Sequence, residues 1–467
     1  MSDSAVAIVE TGARAYPSPP FGPDNPVYEG VREVFRMLGL DSARSGTPEW
    51  NPLGDIIRPG QRVLVKPNLV RHYHPRGYDT DAIYTHGSVI RAVCDYALRA
   101  LQGQGELVIA DAPLQSCDFA AVTRLSGVDA ILDHYRAEKM HVPVRDLRLV
   151  RTTAERCGLW GRVLIQHALE GDPLGYTHID LGADSLHAAT EAKGRYRVTC
   201  YDPAAMRRHH GEGRHQYIVA NTLLSADVVL NLPKMKTHHK AGITGAMKNF
   251  IGINGHKDCL PHHRKGSPAE GGDEYARPNV LKSAGSWLLD YKETHSSIAV
   301  KKGAAILHRV LHAAHMQGDD AYWDGSWHGN DTISRTTVDL NRIVYFAGKT
   351  GRLVTRAQRT VFTLVDGIVG GDQDGPLSPT PRPSGLLIAG FHTPAVDAVM
   401  ARAMGFRWSA VPALRHAYAE TSPLATHRPG EIRIVSNSPE WADAHVDLPG
   451  HSLRYTPHRG WKGHVEL

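Results

Sequence analysis

Apolar residues recur along this chain with two periods, and the predicted elements follow from where each period holds. Short apolar runs at Val6 to Val9, Arg62 to Val65, Glu106 to Ala110, Val228 to Leu232, Thr360 to Val365, Gly385 to Gly390 and Glu431 to Val435 read as strands. Between Val27 and Leu40 the residues Val31, Val34, Phe35 and Leu38 fall at helical spacing, and Gly39 supplies a stop. Ser88 to Leu101, Arg335 to Phe346 and Thr393 to Met404 read as helices too, and Ser283 to His315 is helical through much of its length. Strand, helix and strand, with polar residues at each strand's end, is the pattern of a parallel sheet. The predicted fold class is α/β: a mainly parallel sheet with helices on both faces and an irregular C-terminal tail.

The stretches between these elements are read as loops. Tyr16 to Tyr28 is rich in proline, and Arg207 to His215 is polar and basic. His262 to Pro278 would suit no regular element, and a loop of that length is often a lid or binding loop. Tyr322, Trp323, Trp327 and His328 sit among Asp and Gly, and Asp366 to Pro379 reads as a dense turn. A chain of 467 residues exceeds what one core usually serves. Residues 1–405 are expected to form the catalytic region, as one unit or as joined lobes of about 1–220 and 221–405, with 406–467 as an extension. No internal repeat or low-complexity region is present.

Polar clusters at four predicted strand ends carry the candidate chemistry: Lys66 with Asn68, Asp111, Lys234 with Lys236 and His238, and Asp366 with Asp372 and Asp374. If these strands share one polarity, the clusters converge where ligands bind in open α/β sheets. Lys66 suits an anionic group, or is a surface lysine lying along apolar surface. Asn68 offers amide hydrogen bonds, or organises the turn. Asp111 holds a proton or caps the next element. Lys234 and Lys236 are two apart, so on an extended backbone they share a face, and their repulsion lowers at least one pKa or calls for an anion between them. His238 and His239 would point apart, and His238 is the one assigned to general acid/base work or metal ligation. His262 and His263 either close over the site or are an exposed pair. Asp366, Asp372 and Asp374 resemble a carboxylate group for a hard cation, or simply make a turn. Asp397 lies near the start of its predicted helix, where a carboxylate interacts well with the helix N-terminus.

Composition narrows the classes. A net charge of +5 suits an anionic substrate without demanding nucleic acid, and 28 histidines could supply ligands or proton carriers. Cys94, Cys117, Cys157, Cys200 and Cys259 are odd in number and form no CxxC pair, so a disulfide framework, a zinc ribbon and a cysteine-ligated iron–sulfur cluster are not expected. The opening MSDSAVAIVETG lacks a basic n-region, and no long apolar run occurs, so a cytoplasmic protein with no membrane partner is expected. The phosphate loop GxxxxGK[ST], the GxSxG elbow, HExxH and a dinucleotide fingerprint are all missing.

The segments VLVKPNLV, THGSVIRAV, ADAP, NLPKMKTHHKAGITGAMKNFIGINGHK and VDGIVGGDQDGP resemble the bacterial family named domain of unknown function 362, from about Val63 to Gly405. Many members of that family carry a ferredoxin-like cluster domain, for which this chain has no cysteine pattern. A remoter likeness joins Thr237-His238, Ala241-Gly242 and Thr244 to Lys248 to the nickel-dependent lactate racemases. That resemblance implies a racemase-like fold, a catalytic acid/base at His238, a tether for a nickel-pincer nucleotide at Lys248, and a nickel ligand at His256, His262 or His263. The racemases' second glycine and Asp-His-Thr-Arg signature are absent, and Lys-Met-Lys precedes the histidine.

The expected function is an enzyme, isomerase-like, that acts on a small anionic hydroxylated substrate by proton transfer. His238, Lys248 and Asp111 are the catalytic candidates. Lys66, Asn68, Lys234, Lys236 and Asn249 are the substrate-binding candidates, and Asp366, Asp374 and His262 the metal candidates. No motif identifies a cofactor, and nickel or iron is compatible with the residues present. A metal-dependent redox or transfer enzyme of specialised-metabolite or polysaccharide biosynthesis is the first alternative. A non-catalytic anion- or polysaccharide-binding protein using Trp323 and Trp327 is the second.

Overall fold

Ten strands of one sheet place the candidate residues. The computed structural model describes residues 4–157, 161–190, 194–198, 202–295, 297–315, 323–442, 445–448 and 450–467. Cys200 and Tyr322 therefore lie outside the described residues. The main sheet is built from β1 (Ala5–Glu10), β2 (Arg62–Pro67), β3 (Glu106–Asp111), β4 (Val144–Asp146), β5 (Val228–Leu232), β6 (Lys234–His238), β7 (Gly242–Thr244), β8 (Thr360–Asp372), β9 (Thr380–Gly390) and β10 (Arg433–Ser436). Its order is β10-β1-β9-β8-β5-β2-β3-β4, with β6 pairing on β8 and β7 on β6. From β8 to β4 neighbours are parallel, whereas β9 runs antiparallel to both β8 and β1.

Period-two alternation explains the layers. Val63, Val65, Val228, Leu230 and Leu232 enter one core with α1 (Pro26–Met37) and α2 (Gly87–Leu101). Leu64, Val108, Val229 and Val361 enter the opposite core with Leu340, Ile343 and Val344 of α3 (Thr332–Phe346). Beyond them Ile8, Val365 and Ile388 pack on α4 (Thr393–Met404). A sheet buried on both faces gives near-continuous apolar strands, as the sequence has at β5. No helix among the described residues is long and apolar enough to cross a membrane.

Several loop readings are corrected. The turn expected at Asp366 to Pro379 begins only after Asp372. Ile368 and Val369 are buried, and Gly370 and Gly371 let β8 pass tightly beside Tyr455 and Lys236. Strand β8 pairs first with β5 and then with β6, the two being parted by Pro233, which has no N–H for a ladder. Arg207 to His215 is not a loop: helix Pro203–His209 turns into strand Arg214–Ala220, which pairs with Tyr176–Asp180. The long segment after His262 is tied down by Asp273. Its carboxylate accepts from the Arg264 and Thr332 amides at 2.5 and 3.0 Å and from the Thr332 hydroxyl. His263 is buried, not exposed.

Strands from both sides of residue 220 share the sheet, β1 lying between β9 and β10, and the segment after 405 contributes β10, which pairs with β1. Trp441 and Trp461 of that segment are buried.

Asn231, near the carboxyl end of β5, links the sheet to the segment beyond it. Its amide donates to the Ala246 carbonyl (3.1 Å) and Thr363 Oγ1 (3.3 Å), and its oxygen accepts from Asn249 (2.8 Å). Asn231→Ala is expected to destabilise by about 1–3 kcal/mol for each buried group left unpaired. Urea unfolding of the full chain checks this, and a loss below about 0.5 kcal/mol, the scale of a neutral surface change, contradicts it.

Candidate functional site

Because β8, β5, β2 and β3 lie side by side and parallel, their polar carboxyl-end residues meet. Lys66 Nζ lies 2.6 Å from Asp111 Oδ1, and Lys234 Nζ lies 3.0 Å from Asp366 Oδ2, each pair wholly buried. Tyr16 donates to Asp366 at 2.6 Å and also contacts Lys234 Nζ. Lys236 Nζ donates to Asn68 Oδ1 at 2.9 Å and to the Ile83 carbonyl. Burial pushes all three ammonium groups down. Asp111 and Asp366 oppose it at Lys66 and Lys234, whereas Lys236 meets the further repulsion of Lys234 and Lys248.

Asn249 joins these units. Its oxygen accepts from Asn68 (3.2 Å) and Lys66 (3.4 Å), and its amide donates to the Lys66 carbonyl (3.1 Å). It belongs to a single helical turn, Ala246–Asn249, whose first amides are held from a distance. Asp397 of α4 accepts from Ala246 N at 2.6 Å and Met247 N at 2.9 Å. The carboxylate thus caps another helix, not the one it belongs to as the sequence suggested. Burial pushes its pKa up to about 7 against those two hydrogen bonds. Gly252 makes room for the ion pair beside the turn: a Cβ there would stand 2.1 Å from Asp111 Oδ1 and 2.6 Å from Lys66 Nζ.

Against this polar floor lies a cavity of about 270 Å³. Arg71, Lys240, Lys248 and Lys257 line it, with Asp111 and Asp324 as its carboxylates. Both carboxylates are already engaged, Asp111 by Lys66 and Asp324 by Lys240 at 3.3 Å. Arg71 stacks on Tyr73 at 4.4 Å and donates to the Leu377 carbonyl (3.3 Å), while its buried Nε has no partner. Burial, with Lys240 beside it, pushes Lys248 down to about 7. Lys257 donates to the Ile251 carbonyl (2.8 Å), and burial pushes it down to about 7 as well.

Three histidines line the cavity, His239 beside His238 instead of pointing away from it, and His238 and His262 have opposite tautomers. His238 Nδ1 accepts from the amides of Lys240 (3.0 Å) and Ala241 (3.1 Å), so the neutral ring carries its hydrogen on Nε2. His262 Nδ1 lies 2.8 Å from the Leu260 carbonyl, which can only accept, so its hydrogen is on Nδ1 and Nε2 is a bare lone pair. Burial, then the charge of Lys248, holds both rings well below the usual histidine range. His238 is therefore a hydrogen-bond donor and His262 an acceptor at neutral pH.

Of the residues singled out in the sequence, Asn68, Asp111, His238, Lys248, Asn249 and His262 line the cavity. Lys66, Lys234 and Lys236 lie beneath it, bound to protein oxygens, so the anion expected between the two β6 lysines is replaced by Asp366 and Asn68. The metal candidates are separated. Asp366 is held by Lys234, Asp374 by Arg76, and among the described residues the two do not group with His262 within 4.8 Å. Asp372 pairs with Arg382 at 3.0 Å. Of the three histidines that the racemase likeness offers for nickel, His262 lines the cavity, whereas His256 and His263 lie outside it. Trp323 and Trp327 are buried and present no exposed aromatic platform. Sequence reasoning counted Lys240 only among the cations of the central motif, without a role, and did not single out Arg71, Lys257 or Asp324. Lys240 and Lys257 stand inside the motif segment, which was the available signal, while Arg71 and Asp324 carry no motif of their own.

The family described as Domain of unknown function (DUF362) matches residues 63–170 and 185–402, most of the chain. No curated protein matches. A solved structure of a Thermotoga maritima protein is 12% identical with a TM-score of 0.33, the match covering 79% of this chain and 58% of that one.

Two outcomes follow for the site. Lys248 is protonated below about pH 7 and a free amine above it, so acylation of this lysine followed by peptide mass spectrometry is expected to rise with a midpoint near 7, where an ordinary lysine rises near 10.4. A midpoint near 10 contradicts the assignment. Gly252→Ala is expected to part Lys66 from Asp111 and lower the melting temperature. An unchanged melting temperature would show that the pair tolerates the added methyl.

Proposed function

Since the chain belongs to the family of domain of unknown function 362, whose description names no reaction, we propose from its cavity that it is an enzyme of proton transfer. It acts on a small anionic, hydroxylated substrate. The observation that carries this reading is the pair of histidines with opposite tautomers at one cavity. His262 Nε2 is a lone pair able to take a proton, and His238 Nε2–H is a donor able to face an oxygen that gains charge. General base and electrophile are then supplied by separate residues, and neither needs to be charged beforehand.

The cations give the substrate class. Arg71, Lys240, Lys248 and Lys257 surround a space of about 270 Å³ whose carboxylates are already paired, which favours a compact anion. The Arg71 fork suits a carboxylate or phosphate, and its unpartnered Nε is a donor to be satisfied by such a group. Lys248 adds charge only while protonated. The affinity for the anion is therefore strongest below pH 7 and falls as pH rises through about 7. Asp111 acts through Lys66 and the turn beyond β2, because its second oxygen accepts from the Leu69 amide at 2.8 Å.

The test is solvent exchange. The protein is incubated in deuterium oxide with a panel of small 2-hydroxy and 2-oxo carboxylates, and carbon-bound deuterium is read by NMR. The reading expects exchange with at least one of them, reduced about 10²–10⁴-fold in His262→Ala. Wild-type exchange rates in His262→Ala would remove His262 from the base role, and a panel with neither exchange nor binding would reject the proposal.

A further inference from the structure

Three imidazoles meet away from the cavity, behind the loop that carries His262. His187 lies in the short segment Leu186–Thr190, His210 follows helix Pro203–His209, and His215 lies on strand Arg214–Ala220. Their ring centroids are 6.0 Å (His187 to His210), 5.7 Å (His187 to His215) and 5.8 Å (His210 to His215) apart. All three are buried, at 1%, 1% and 4% exposure. Each has a buried Nδ1 with no hydrogen-bond partner. Three such nitrogens in one cluster are unusual, because buried polar atoms are nearly always paired.

For two of the rings the tautomer is fixed by the far nitrogen. His210 Nε2 donates to the Cys259 carbonyl at 2.8 Å. His187 Nε2 lies 3.0 Å from Thr336 Oγ1, whose own hydrogen goes to the Pro261 carbonyl at 2.7 Å, so His187 is the donor. Both Nδ1 atoms are therefore bare lone pairs. Burial keeps all three rings neutral by pushing their pKa values down. Imidazoles oriented by an N–H bond to an oxygen, with the other nitrogen free, are arranged as metal-bound histidines are. Two guanidinium groups near the rings are paired, Arg335 with Asp331 at 2.5 Å and Arg264 with Asp273 at 3.3 Å, while Arg207 and Arg214 line the cleft beside the rings with Glu212.

We propose that His187, His210 and His215 bind a divalent transition metal of the zinc class through their Nδ1 atoms. Neutral imidazole is the ligand such ions prefer, and the adjoining cleft bordered by Tyr196 and Glu212 leaves a fourth position for water. Among the described residues the three nitrogens do not all lie within 4.8 Å of one another. With three protein ligands the site keeps an open position, and it reaches the cavity only through the loop that carries His262. His210 holds the Cys259 carbonyl and His187, through Thr336, the Pro261 carbonyl, and these flank Leu260, the residue that fixes the tautomer of His262. The site is independent of whatever the cavity turns over.

The full chain, stripped with a chelator, is titrated with Zn²⁺ against a chromophoric chelator and, separately, with Co²⁺ by visible absorption. One tight equivalent, intense tetrahedral Co²⁺ bands and a raised melting temperature are expected. The equivalent should be lost in His210→Gln and in His215→Gln, the latter being the less buried of the two, and kept in Glu440→Gln and His262→Ala. Glu440→Gln removes the exposed group Glu10, Glu440 and His451, whose ligand atoms do lie within 4.8 Å. The proposal is overturned by no tight equivalent, by the weak absorption of an octahedral carboxylate site, or by loss of the equivalent in Glu440→Gln or His262→Ala. Circular dichroism of the histidine variants separates loss of the site from loss of the fold.

Discussion

Burying an ammonium group without an oxygen partner is among the costliest arrangements a fold can adopt, and this fold buries three at one sheet edge. Lys66, Lys234 and Lys236 are each 0% exposed. Their partners come from separate parts of the chain: Asp111 from β3, Asp366 from β8, Asn68 from the turn after β2, and Ile83 from the approach to α2. Satisfying the lysines therefore ties the strand ends to the loops beyond them. The polar floor is rigid for the same reason, since no member can leave without stranding a charge. Asn249 and Asn231 extend it through neutral hydrogen bonds to the turn that carries Lys248.

Above that floor the electrostatics change. The floor lysines are matched by oxygens, whereas the cavity cations outnumber the carboxylates available to them. Such a site attracts anions, and desolvation raises the strength of each contact. It also keeps Lys248 near its neutral point and both histidines uncharged. Asp397 supports the arrangement from α4, holding the amides of the turn with a carboxylate that burial makes reluctant to ionise.

Much of the sheet was legible because apolar periodicity is local. Val228 to Leu232 and Thr393 to Met404 coincide with their elements, and the convergence of Lys66, Asp111, Lys234 and Asp366 required only that their strands be parallel. What the sequence did not reveal depends on distant partners. Lys236 and Lys240 look alike in the motif, yet one is bound to Asn68 beneath the cavity and the other faces it beside Asp324. Asp397 reads as the start of its own helix because its real targets, Ala246 and Met247, lie about 150 residues earlier. β8 outruns its expected end at Val365 because Gly370 and Gly371, which weigh against a strand locally, are needed where Tyr455 and Lys236 approach. The tautomers of His238 and His262 rest on backbone contacts, two amides at the first and one carbonyl at the second, that no residue pattern encodes.

The central claim is that His238 and His262 are neutral at neutral pH and carry their hydrogens on opposite nitrogens. Nitrogen-15 NMR of histidine-labelled protein at pH 7, assigned with His238→Gln and His262→Gln, measures this directly. The account predicts a hydrogen on Nε2 of His238 and on Nδ1 of His262, with neither ring charged. The same tautomer in both rings, or an imidazolium at either, would contradict it.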